Sequence, residues 1–227
     1  MRKKERLERF LGNRFNILFH DAEILFYLKD DIINFIENIH GVTNLLLQGV
    51  VSDVKESMHI AGCKALGLCS KLFTAPFWRL IESKGNILDM NDHYRCMMTF
   101  LEEASQNPID FIYGIRCPFP NLVQKDNIYE ILISPNEELD MTVQSLLMVI
   151  FTAWQNYLKI SVRDHLPEGK FCETSEIVKE VCASVAKHNK FPERVFGLTD
   201  SLIRLRPNAT EMCNEAFIMF TNNKTNA

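Results

Sequence analysis

The sequence predicts an all-α, multi-helix domain, and three observations predict it. Apolar residues recur at helical spacing along most of the 227 residues. Eight prolines and nine glycines are few for that length, which suits long helices better than a many-turned sheet sandwich. Residues that start and stop helices stand at the ends of the periodic runs. With 47% hydrophobic and 24% charged residues, the composition is that of a globular protein able to bury a core without staples.

Each element follows from its own pattern. From Asp21 to Ile39, the residues Ala22, Leu25, Leu28, Ile32, Phe35, Ile36 and Ile39 mark an amphipathic helix that Gly41 stops. Val42 to Lys55 and Ile60 to Phe73 read as two more. The second is lined by Ala61, Gly62, Ala65, Gly67 and Ser70, whose small side chains let another helix come close. Pro76 fits the first turn of a short helix that Lys84-Gly85-Asn86 closes. Asp89 to Ala104 is a further helix. Between Asn107 and Pro135 the pattern breaks, and the short runs Phe111 to Ile115 and Ile128 to Ile133 predict an irregular or β-hairpin insert around 111–133. Ser134, Pro135 and Glu137 then supply an N-cap, a first-turn proline and a capping glutamate. The helix they open runs toward Val162, and its middle is apolar all round, the mark of a central helix. Thr174 caps the next one. Two closing helices follow, about Pro192 to Leu205 and Ala209 to Thr221, with Asn208 and Glu211 as a capping box for the last.

The chain divides into an N-terminal helical region over 1–106, a linker over 107–134 and a C-terminal helical region over 135–227, which together form one compact domain. Its formal charge of −4 excludes a surface built to coat nucleic acid or an anionic membrane, so any such contact is local. The basic arm at Arg2, Lys3 and Lys4 reads first as a solvated helical turn. No apolar run reaches the length of a membrane span and no signal-peptide core follows the arm, which predicts an intracellular chain. Seven scattered cysteines without a CxxC pair predict reduced thiols, with Cys63, Cys69, Cys96, Cys182 and Cys213 mainly buried. Two Asn-x-Thr matches, at Asn208 and Asn223, carry no weight without a secretory signal.

No complete catalytic motif appears. Leu66-Gly67-Leu68 lacks the partner glycines of a phosphate loop. His59 and Cys63 have a spacing that serves zinc but lack further ligands, and the acidic cluster at Asp89 to Asp92 lacks the glycine and glutamate of a calcium loop. The paired carboxylates Asp30-Asp31, Glu102-Glu103 and Glu137-Glu138 diverge as helix neighbours and read as solvated faces. No metal or cofactor is expected.

One stretch stands apart: Phe191-Pro192-Glu193-Arg194-Val195-Phe196-Gly197, then Arg204-Leu205-Arg206-Pro207-Asn208 and an apolar helix. It resembles the C-terminal block of hAT-superfamily DNA transposases, in which a Ser-Glu-Arg-x-Phe-Ser core precedes a basic connection and a closing helix. Upstream, Gly12-Asn13-Arg14-Phe15-Asn16 resembles the Arg-Trp block of that family. The C-terminal likeness covers about 35 residues and the other about 15. Pro192, Gly197 and Phe15 depart from the family's serine, second serine and tryptophan.

The resemblance implies that Glu193 occupies the place of the family's metal-binding glutamate. Arg14, Arg194, Arg204 and Arg206 in the matched blocks, with Arg2, Lys3 and Lys4 of the basic arm, are the candidate DNA contacts. The two aspartates that complete such a magnesium or manganese site would belong upstream of Met1, so one carboxylate remains and the reaction does not follow from it. The expected function is therefore a catalytically incomplete, transposase-derived module that self-associates, in the nucleus if a transposase-like role persists and otherwise in the cytoplasm. Two alternatives stay open: a metal-dependent DNA-cleaving subunit whose aspartates come from upstream or from a partner, and a helical adaptor unrelated to transposons.

Overall fold

The computed structural model describes residues 15–222, apart from the side chains of residues 15, 190 and 191. Among the described residues eleven α-helices run in the order α1 (Phe15–Asn34), α2 (Leu45–Lys55), α3 (Ser57–Cys69), α4 (Ala75–Glu82), α5 (Met90–Ala104), α6 (Ile109–Ile112), α7 (Asn127–Ile133), α8 (Glu137–Ser161), α9 (Glu176–Val181), α10 (Lys190–Leu205) and α11 (Glu211–Asn222). Short π and 3-10 turns join several of them, and no strand occurs among the described residues.

The first helix begins earlier than the periodicity indicates and buries Ala22, Glu23, Ile24, Phe26 and Tyr27. It ends in a π turn, Phe35–His40, and Gly41 breaks the run at φ 81°, a left-handed value that glycine adopts without strain. Helix α3 packs along α1, and Gly67 sets how closely. A Cβ there would lie 3.0 Å from the Glu23 Cα and 2.9 Å from Leu132 Cδ2, so a side chain would push the helices apart. Gly62, by contrast, faces open space.

Helix α3 does not stop before Pro76. It passes through a π turn, Ser70–Thr74, directly into α4. The Ala75 N–H donates to the Ser70 carbonyl five residues back, and Pro76 follows in the first turn of α4. The widened turn accommodates a proline that would clash in an unbroken α-helix.

The core forms where α3 and α5 meet α8 and where α1 and α7 close over α3. Leu139, Val143, Leu147 and Phe151, one every four residues along α8, point inward and are buried. Phe73, Phe100, Phe111, Phe151 and Trp154 form a continuous aromatic cluster, with Phe111 edge-on to Phe151 at 5.0 Å and Phe73 4.8 Å from Trp154. A fully buried lysine pins the start of α8 to α3. Lys64 Nζ donates to Asp140 Oδ1 at 2.7 Å and to the Ser134 carbonyl at 2.9 Å, and the Asn136 N–H donates to Asp140 Oδ2 at 2.8 Å. Every charge brought into the interior there has a partner.

Four expectations change. The insert around 111–133 is irregular over 113–126, with one 3-10 turn at Pro120–Leu122, but its strand-like run Ile128 to Ile133 is helical, and no β-hairpin occurs among the described residues. Ile128, Tyr129 and Leu132 are buried while Glu130 is exposed, a helical and not an alternating pattern, and the Asp126 side chain caps α7 by accepting the Tyr129 N–H at 2.9 Å. Tertiary burial overrides the β preference of the isoleucines there. Helix α8 is central but not covered all round, since Met141, Val149, Tyr157 and Ile160 are exposed. Its N-cap is Asn136, while Ser175 and Thr210 replace Thr174 and Asn208 as caps of α9 and α11. All seven cysteines are free, but only Cys69 is buried; Cys63 and Cys182 are intermediate, and Cys96 and Cys213 are exposed.

Beyond α8 the chain is tied to the core mainly by polar contacts. Asn91 donates to the Phe171 carbonyl at 2.6 Å and faces His165 Nδ1 at 2.9 Å through its amide oxygen. Asn86 donates to the Lys179 carbonyl, and Lys187 donates to the Leu80 carbonyl and the Ser83 hydroxyl. Helices α10 and α11 then pack on each other more than on any other element.

Candidate functional site: a closing hairpin and a polar cavity

The residues singled out by resemblance fall on α10 and the turn after it. Glu193 lies in the first turn of α10, exposed, with its N–H donated to the Asn189 carbonyl. An acid there is favoured by the helix dipole. Asp200, the nearest acid further along α10, is held by Arg204, whose Nη2 lies 3.0 Å and Nε 3.2 Å from its two oxygens. Among the described residues no three histidine, cysteine, aspartate or glutamate side chains converge as a metal-ligand set.

The arginines divide. Arg194 is exposed beside Glu193. Arg204 is committed to Asp200. Arg206 reaches across to α11, donating to Cys213 Sγ at 3.4 Å and lying 6.0 Å over the Phe217 ring. It clasps the hairpin shut from one end. Arg2, Lys3, Lys4 and Arg14 lie outside the described residues.

Between α10 and α11 runs a groove of about 580 Å³, lined chiefly by Val195, Thr199, Ile203, Asn214, Ile218 and Met219. Its lining is largely apolar, with Thr199, Glu211, Asn214, Glu215 and Asn222 as polar members; Asn214 is buried, and the Oδ1 atoms of Asn214 and Asn222 have no hydrogen-bond partner. Around the groove, Phe196, Leu205, Met212 and Phe217 are exposed, at 71%, 76%, 78% and 44% of their surface. Comparable exposure occurs at Ile39, Leu45 and Leu46 and at Ile177 and Val181, but on the hairpin the exposed apolar residues accompany a groove, and contiguous apolar surface marks interaction sites.

A second site has no counterpart in the sequence motifs. A cavity of about 460 Å³ opens where α1, the π turn, α4 and the loop before α7 meet. Its floor holds Glu23, Ile24, Ser70 and Lys71, all buried, and its walls include Thr74, Trp78 and Arg79. His20 Nδ1 is 3.0 Å from Glu23 Oε1. Lys71 Nζ lies 3.7 Å from that same oxygen and donates to Asp126 Oδ2 at 2.7 Å. Burial by itself would raise the Asp126 pKa. The hydrogen bonds from Lys71 and from the Tyr129 and Ile128 N–H groups, with the Lys71 charge, outweigh it and hold the carboxyl below its usual value. Glu23 Oε2 and Thr74 Oγ1 are buried without a hydrogen-bond partner.

The signal for this cavity was present in the sequence but weak. Glu23 stands on the apolar stripe of α1 between Phe19 and Phe26, and Lys64 and Lys71 lie two turns apart on the small-residue helix. A charge on a buried face needs a partner, but the partners arrive from positions up to 76 residues away.

No helix among the described residues is long and apolar enough to cross a membrane. The chain matches no family model, no curated protein and no solved structure.

Proposed function

We propose that the chain is a helical self-association module that pairs with a second copy of itself through the α10–α11 hairpin. The observation that carries this reading is the apolar groove and its exposed rim on a hairpin that packs mainly on itself. A second copy suits the groove better than an unrelated helix because of Asn214. Its amide both donates and accepts, so the same amide related by a two-fold axis can satisfy it. Asn222 lines the same groove with an equally unpartnered Oδ1, and asparagines in an apolar seam fix register and partner number in helical assemblies. Glu211 and Glu215 line the α11 edge of the groove, and α10 exposes Arg194, so a second copy also offers opposite charge.

The resemblance to the hAT C-terminal block supports the same reading, since that family uses the block in self-association. It makes the chain a transposase-derived module whose metal chemistry is incomplete, working inside the cell. DNA contact is the weaker part of the reading, because Arg204 and Arg206 are already engaged within the hairpin.

Sedimentation from about 1 to 100 µM, a range that captures interfaces of moderate affinity, tests it. The wild-type chain is expected to dimerise, and the double variant Phe196→Glu, Met219→Lys to remain monomeric with unchanged helical content. A wild type that stays monomeric throughout, or a variant that still dimerises, rejects the proposal.

A further inference from the structure

The polar cavity is the other place where the fold leaves something unfinished. Buried acceptors are paired almost without exception, and an unpaired carboxylate oxygen costs more than an unpaired carbonyl. Glu23 is only 4% exposed, lines the cavity, and keeps Oε2 without a donor. The neighbouring cation does not meet the need. Lys71 is bonded to Asp126 at 2.7 Å and stands off Glu23 at 3.7 Å, on the oxygen that His20 also faces. Two carboxylates thus share one ammonium. Arg79, on the wall, turns its Nη1 to the Leu122 carbonyl.

The rest of the cavity matches a particular kind of guest. Its volume lies in the range of small-molecule sites. Thr74 Oγ1 adds a second unpaired polar atom, while Ile24, Ala75, Trp78 and Ile128 supply apolar and aromatic wall. Aromatic wall beside a carboxylate favours a positive charge carried on a hydrocarbon stem. The π turn contributes Ser70, Lys71 and Thr74 to one cavity, and such turns recur at functional sites.

We propose that this cavity binds a protonated amine or guanidinium on a short apolar stem, with Glu23 Oε2 accepting its N–H and Thr74 Oγ1 completing its hydrogen bonds. The same chemistry comes from two sources, a free alkylamine or a lysine or arginine side chain of a bound peptide. Calorimetric titration of the full chain separates them: butylamine and agmatine in one arm, blocked tripeptides centred on lysine or arginine in the other. Saturable binding in either arm, with the Trp78 indole N–H resonance shifting as it proceeds, is the expected result, and the responding arm identifies the source. Glu23→Gln keeps the shape but removes the charge, and is expected to weaken binding about tenfold or more. Gln124→Trp, at the exposed mouth, is expected to block entry and serves as the control if Glu23→Gln folds poorly. Absence of saturable binding in both arms, or equal binding by the wild type and the folded variants, overturns the proposal.

Discussion

The centre of α8 and the closing hairpin are both rich in phenylalanine, methionine and branched aliphatics, yet they meet opposite fates. In α8 the apolar residues that recur every fourth position disappear against α3 and α5, down to the complete burial of Val143, Leu147 and Phe151. In α10 and α11 the same residue types surround one short helix pair, and among the described side chains only Leu202 and Asn214 are buried. A helix pair has one face to give to its partner. Apolar residues beyond that face need a third surface. The difference separates hydrophobicity that builds the fold from hydrophobicity available to something outside it.

The sharpest way to break that comparison is to truncate one phenylalanine in each region. Phe151→Ala is expected to destabilise the fold by about 3–5 kcal/mol, since the ring is fully buried among Phe100, Phe111 and Trp154. Phe196→Ala, measured by urea unfolding at a concentration that holds the chain monomeric, is expected to stay within about 0.5 kcal/mol. Equal costs would mean that the hairpin is as much a part of the core as α8.

A smaller effect concerns acid. The Asp126 carboxyl is held below its ordinary value, so its contribution is complete above the usual carboxylate range and is lost as the pH falls through its folded-state value. Acid unfolding curves are expected to show that loss for the wild type, and Asp126→Asn is expected to flatten it. Because the side chain is nearly half exposed, salt should reduce the difference. An unchanged acid limb in the variant would remove Asp126 from the charge network of the cavity.

The smallest effect is expected at Glu193. Exposed in the first turn of α10, with the next acid along the helix already paired to arginine, it contributes at most a dipole interaction of a few tenths of a kcal/mol. Glu193→Gln is therefore expected to leave thermal unfolding nearly unchanged. Neither protein is expected to nick hairpin or duplex DNA in manganese. Cleavage by the wild type and not by the variant would restore the enzyme reading.

Local signals in the sequence identified most of the helices: the periodic stripes, the Gly41 stop, and Pro76 in a first turn. What escaped depends on contacts between distant segments. The residues from Ile128 to Ile133 have strand-forming composition, and only their packing on α1 and α3 makes them helical. Cys96 sits in an apolar-looking run but lies on the outer side of α5, donating to the Pro118 carbonyl. The cavity is the extreme case, since His20, Lys71 and Asp126 come from three separate elements and no short motif joins them. The hairpin was legible as two helices, whereas the extent of its exposed apolar surface was not, because helical periodicity does not say how many neighbours a helix has.

The π turn at Ser70–Thr74 has a geometric consequence for everything that follows it. One additional residue within a turn acts as a phase slip, and each residue turns an α-helix by about 100°. Residues beyond the turn, Trp78 and Arg79 among them, therefore present themselves on an azimuth that uninterrupted α geometry would not give them. The composition of the cavity wall is thus controlled by residue count as much as by residue identity. A single deletion within 70–74 would rotate a whole set of side chains past α1 at once, exchanging one lining for another without altering any side chain that remains.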